Sequence, residues 1–295
     1  MDITKYLDTW AAAYRNDLIE NIMPFWMKFG LDRKHGGIYT CLDRDGKLMD
    51  STKSVWFQGR FGFIASYAYN HIEKKQEWLA ASKSCIDFIE THCTDIDGHL
   101  FFEVTEEGIP LRKRRYVFSE CFAAIAMSEY AIASGDKSYA TKALEIFKRT
   151  LKFLSTPGFL EPKYLPTLQS RGHSITMILI NTASRIREVI EDPVLDRQIN
   201  ESLTSIRQYF MHPEFKALLE MVGPKGELID TCNGRTINPG HCIETSWFIM
   251  EEARHRNWDK DLVQLALQIL DWSWEWGWDK EYGGIINFRD CKNFP

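Results

Sequence analysis

His241 and Glu244 stand three residues apart in the run NPGHCIE (238–244), a spacing that puts both side chains on one face of a helix. A near-neutral imidazole suits proton abstraction, and a carboxylate beside it can fix its tautomer or hold a substrate hydroxyl. The same residues also fit a plain capped helix start with an internally satisfied histidine. A metal centre fits less well, because H-x-x-E without a second histidine nearby lacks a third ligand. Arg60 lies among Trp56, Phe57, Phe61 and Phe63, company in which a guanidinium needs an anion or oxygen partner. An internal salt bridge to Glu120 or Glu244 is the alternative. Glu120 can be read as a hydrolase acid or, with Ser119, as charge complementing a helix dipole. His173 follows Arg171-Gly172 at a helix start and can be no more than a first-turn residue; Asn181 sits one or two turns further in. There is no Walker loop, G-x-G-x-x-G or G-x-S-x-G elbow, so phosphoryl transfer from nucleotides, hydride transfer and serine hydrolysis have no support.

The elements that must position these residues follow from periodicity. In Ser138–Leu154 the apolar residues Ala140, Ala143, Leu144, Phe147, Leu151 and Leu154 recur at offsets of three and four, which predicts an outer, amphipathic helix. FSECFAAIAMSEYAIAS (118–134) is apolar or small on most sides and predicts a helix buried on nearly its whole circumference. Outer-type segments lie near 3–29, 75–95, 138–154, 194–211 and 259–277, and inner-type segments near 52–73, 118–135, 173–190 and 240–257. Between them come Gly-marked stretches with hairpin chemistry at 35–50, 97–112 and 223–235, with another at 281–290. The turn glycines Gly37, Gly98, Gly158, Gly226 and Gly284 recur about every 60 residues, which signals a ring of helix pairs. The expected fold class is all-α, an α/α toroid over residues 1–295 as a single domain, with about four and a half helix-pair units present and the ring unclosed at the C-terminus. In such a ring the inner-helix N-termini gather at one mouth. Trp56, Gln58, Arg60, Ser119, Glu120, Arg171, His173, Asn238, His241 and Glu244 all sit at such starts, which makes that mouth the candidate site.

Composition narrows the partners. The net charge is −5, and apart from Arg112-Lys113-Arg114-Arg115, read as a solvated hairpin edge, there is no basic stripe for nucleic acid. Seven scattered cysteines without C-x-x-C fit a reduced, cytoplasmic compartment better than disulfides or zinc. The N-terminus lacks signal-peptide layout, and no apolar run approaches the roughly 18 residues a bilayer span needs.

The segments at 24–50, KSVWFQGR (53–60), VFSECFAAIAMSEYA (117–131), INPGHCIETSWFIMEEA (237–253) and WDKEYGGIINFRD (278–290) resemble the N-acylglucosamine 2-epimerase family, also called renin-binding protein. The likeness runs in order along essentially the whole chain, and N-P-G-H-x-x-E-x-x-W-F is its most specific part. The resemblance implies an (α/α)6 toroid, of whose six helix-pair units about four and a half are present, and metal-independent interconversion of N-acetylglucosamine and N-acetylmannosamine through loss and return of the C2 proton. It gives His241 an acid/base role, Arg60 that of oxyanion stabiliser and Glu244 that of substrate or histidine positioner. Trp56, Asn181 and Trp247 would line the pocket, with Glu120 and His173 as further substrate contacts. No cofactor is implied, although some family members are activated by adenine nucleotide. The expected partner is a small amino sugar, without nucleic acid or membrane and with a homodimer left open. Family members continue into a later segment carrying a second catalytic histidine, so the chain as given is expected to be weakly active or inactive. Rival readings are 2-epimerisation or isomerisation of mannose, glucose or cellobiose, an inverting hydrolase using Glu120 and Glu244, and a non-catalytic binding protein.

Overall fold

The computed structural model describes residues 2–113, 116–161, 164–165 and 167–294; Arg114 and Arg115 of the basic run lie outside them. The chain divides into two compact units, one formed by Met1–Leu160 with Glu188–Ile190 and one by Glu161–Arg187 with Glu191–Pro295.

In the first unit, α1 (Ile3–Asp17) starts on Asp2, whose carboxylate accepts from the backbone of Thr4 and Lys5. It runs on through π-helical turns at Leu18–Ile22 and Trp26–Gly30. Its apolar stripe is not packed as expected of an outer helix: Ile3, Leu7, Trp10 and Tyr14 are exposed, and no residue of α1 is buried. Helices α2 (Val55–His71) and α3 (Gln76–His92) pack as one pair, α4 (Phe118–Ser134) and α5 (Ser138–Ser155) as the next, and α2 also packs on α4. Every residue of α4 from Ser119 to Ala131 is buried, as its all-round apolar pattern predicts. On α5 the stripe turns at its end. Leu154 is exposed while Phe153 is buried, because its ring stacks on Phe159 at 4.2 Å.

In the second unit, α6 (His173–Arg187) pairs with α7 (Pro193–Ser205) and α8 (Pro239–His255) with α9 (Lys260–Gly277), while α6 also packs on α8. Arg187 of α6 donates to the fully buried Glu252 of α8 at 2.6 Å. That ion pair compensates a carboxylate that burial alone would penalise.

The hairpins bind the pairs together. Cys41–Leu42 pairs antiparallel with Leu48–Asp50, and Glu103–Val104 with Pro110–Arg112, both within predicted stretches. The stretch 223–235 is different. It holds no hairpin of its own; Met221–Val222 before it pairs with Arg171–Gly172, and Thr236–Ile237 after it pairs with Arg289–Asp290. Pro224, Asp230, Asn233 and Gly234 give this stretch loop chemistry, and it closes through side chains, Arg235 reaching Asp230 at 3.0 Å. All five turn glycines have positive φ. At Gly37 a Cβ would also stand 2.5 Å from Oε1 of Gln58, so no other residue fits there without displacing that side chain. Among the described residues no helix is long and apolar enough to cross a membrane.

Candidate functional site

In the second unit, His241 occupies the first turn of α8. Asn238 is the N-cap, its side-chain oxygen accepting from the His241 backbone N–H at 3.1 Å, and Pro239 follows at the first helical position. The imidazole is about a third exposed (34%). Its Nδ1 lies 3.0 Å from Oε2 of Glu220. Glu220 is held from both sides by backbone: its N–H donates to the Thr236 carbonyl and its carbonyl accepts from the His173 N–H, each at 3.0 Å. The carboxylate is thereby fixed between the starts of α6 and α8. The same Oε2 lies 3.7 Å from Nδ1 of His173, a fully buried ring whose Nε2 is 2.9 Å from Oγ1 of Thr245. Thr245 donates onward to the His241 carbonyl at 2.9 Å.

The electrostatics follow from this geometry. Burial works to raise the Glu220 carboxyl, but the hydrogen bond from His241 and the nearby imidazole of His173 outweigh it and hold the group down at about 2. Burial pulls His241 down, and the Glu220 hydrogen bond and charge, with Glu244 adding its own charge, reverse this to a net upward shift. A carboxylate facing Nδ1 places the proton there and leaves Nε2 with the lone pair, the tautomer that a general base requires.

The other residues singled out in this unit sit on α6 and α8. Glu244 is exposed one turn beyond His241, so the carboxylate bonded to the imidazole is Glu220. Trp247 is exposed with its ring edge-on to Phe248, and Asn181 is half-buried on α6. His173, wholly enclosed, meets Thr245 and faces Glu220.

In the first unit, Arg60 is exposed on α2 with its guanidinium 4.1 Å from the centre of the Phe122 ring. Trp56, half-buried, packs against Phe102, Phe118 and Phe122. Other polar residues at these helix starts fasten hairpins. Gln58 donates to the Ile38 carbonyl at 2.6 Å and accepts from its N–H at 2.8 Å. Ser119 donates to the Phe101 carbonyl, and Glu120, fully buried, accepts from the Leu100 N–H at 2.6 Å. Burial pushes the Glu120 carboxyl up to about 7. Among the described residues no cluster of three His, Cys, Asp or Glu could hold a metal ion.

Glu220 escaped the sequence reading, which looked for polar groups at helix starts. Its one signal is a lone carboxylate in the otherwise apolar run ALLEMV (217–222), a position where a charge needs a partner.

The sequence model of the N-acylglucosamine 2-epimerase family matches residues 37–295. The chain is similar to the N-acylglucosamine 2-epimerase of Rattus norvegicus, 28% identical over 97% of this chain and 70% of the relative. It is 27% identical to that of Homo sapiens over 98% of this chain and 69% of the relative. Its fold is the α/α toroid seen in cellobiose 2-epimerases, of which the Bacillus thermoamylovorans structure superposes with a TM-score of 0.84 at 20% identity, covering 96% of this chain and 76% of that one. The chain belongs to the N-acylglucosamine 2-epimerase family.

Proposed function

We propose that the chain acts on an N-acylated amino sugar, interconverting N-acetylglucosamine and N-acetylmannosamine at C2, with His241 moving the proton. The observation that carries this reading is the His241–Glu220 pair at 3.0 Å. In the open-chain sugar the C1 aldehyde acidifies the C2 hydrogen. Nε2 of His241 takes that proton, the C2–H electron pair moves into the C1–C2 bond, and negative charge builds on the C1 oxygen. Inversion follows when a proton is returned to the opposite face of C2. The imidazolium formed on His241 is stabilised by Glu220, as a fixed carboxylate stabilises a developing cation. Family resemblance gives the enediolate charge to Arg60, and the exposed guanidinium is chemically suited to it.

Incubating the chain with N-acetylmannosamine in D2O tests the reading. Deuterium is expected at C2, since one base suffices to exchange that hydrogen, with only weak conversion to N-acetylglucosamine because inversion also needs a proton donor on the opposite face. His241→Asn should slow the exchange by about 10²–10⁴-fold, and Arg60→Ala by about 10²–10³-fold. Absence of C2 exchange by the unaltered chain would overturn the reading. A second reading keeps the chemistry and changes the sugar, since a cellobiose 2-epimerase of Ruminococcus albus is 31% identical over 46% of this chain. A panel contrasting N-acetylated sugars with cellobiose, mannose and glucose separates the two.

A further inference from the structure

The resemblance gives Glu220 no role and makes His173 a substrate contact. The hydrogen-bond circuit around both gives them another task. We propose that Glu220 faces two imidazole Nδ1–H groups, accepting that of His241 and feeling that of His173 through charge and dipole, and that His173 is a positioning residue that tempers the hold of Glu220 on the base.

The proton count supports this. The Thr245 hydroxyl has one proton, and its oxygen stands 2.9 Å from both the His241 carbonyl and Nε2 of His173. If the proton goes to the carbonyl, the oxygen accepts from His173 Nε2–H. A neutral His173 would then aim the Nδ1 lone pair at the Glu220 carboxylate, from inside a site with no exposure. That nitrogen has no hydrogen-bond partner among the described residues, so the arrangement both repels and leaves a buried atom unsatisfied. Protonating Nδ1 turns the repulsion into attraction toward the carboxylate. If the Thr245 proton goes instead to Nε2, the neutral ring carries its own proton on Nδ1. Both favourable arrangements therefore direct His173 Nδ1–H at Glu220. The separation is 3.7 Å, longer than a hydrogen bond, so His173 acts on the carboxylate mainly through charge and dipole, while His241 holds it directly.

The consequence for catalysis rests on the epimerase reading; the proton assignment does not. The charged groups acting on His241 are Glu220 and Glu244, and those acting on Glu220 are the two histidines. Removing the Glu220 charge lowers the basicity of His241. Removing His173 leaves Glu220 to His241 alone and raises it.

Long-range ¹H–¹⁵N spectra of the unaltered chain without sugar should show Nδ1 protonated on both rings. The acid limb of the C2-exchange rate should move by about one pH unit to lower pH in Glu220→Gln and to higher pH in His173→Leu. His173→Asn, whose amide can replace Nδ1–H, should return the limb toward its original place. A bare Nδ1 on His173, or limbs that shift in the same direction, would overturn the proposal. If His173→Leu does not fold, the spectrum of the unaltered chain decides alone. If the unaltered chain exchanges no C2 hydrogen, the epimerase reading fails while the spectrum still decides the proton assignment.

Discussion

Glu120 and Glu220 are carboxylates at neighbouring kinds of position, each tied to the start of an inner helix, yet their surroundings drive them in opposite directions. Glu120 is enclosed and pushed up to about 7 by burial, which its bond from Leu100 only partly offsets. Glu220 receives two imidazoles and is held at about 2. The stability consequences have opposite sign. A raised carboxyl stabilises the fold fully below its unfolded value, near 4.5, and that contribution is lost as pH rises through about 7. Glu120→Gln should therefore flatten the pH dependence, gaining about 3 kcal/mol relative to the unaltered chain between pH 4.5 and 8. Urea unfolding of both proteins at pH 5 and pH 8 measures it, and equal differences at the two pH values would refute the assignment. A depressed carboxyl works the other way: the Glu220 contribution is present above pH 4.5 and lost as pH falls towards 2.

At the scale of elements, α2 and α4 meet without side-chain volume at one point. A Cβ on Gly59 would stand 2.6 Å from the Phe122 carbonyl carbon, an approach that backbone cannot yield to cheaply. Gly59→Ala should cost about 1–3 kcal/mol through overpacking, despite the better helix propensity of alanine, and thermal unfolding would read it. Such helices were legible in the sequence because their apolar period is local: α4, α5, α8 and α9 fall within a few residues of the segments expected. The pairing of Met221–Val222 with Arg171–Gly172 was not, since a two-residue strand leaves no alternation to read and its partner is about 50 residues away. The site was half legible for the same reason. His241 announces itself by N-P-G-H, whereas Glu220 acquires its role only when that pairing carries it to the start of α6.

At the scale of the whole molecule, all seven cysteines are free, with Cys41 and Cys232 exposed and the other five buried. Burial also pushes the thiols of Cys85 and Cys93 up to about 12, which removes the reactive thiolate. A thiol reagent should therefore modify two groups quickly in the native protein and the remaining five only after denaturation. A faster third thiol would show that a buried site opens.

Several side-chain bonds that fasten a hairpin or a helix pair span the same distance along the chain. Ile38 to Gln58, Gly62 to Ser82, Leu100 to Glu120 and Ser246 to Ala266 are each 20 residues apart. Closing a loop of that length takes well under a millisecond, whereas a ribosome adds about 5–20 residues per second. Each fastener can therefore close as soon as its second partner emerges, long before the next helix pair has been made. Such a chain is built for vectorial folding, one module at a time from the N-terminus.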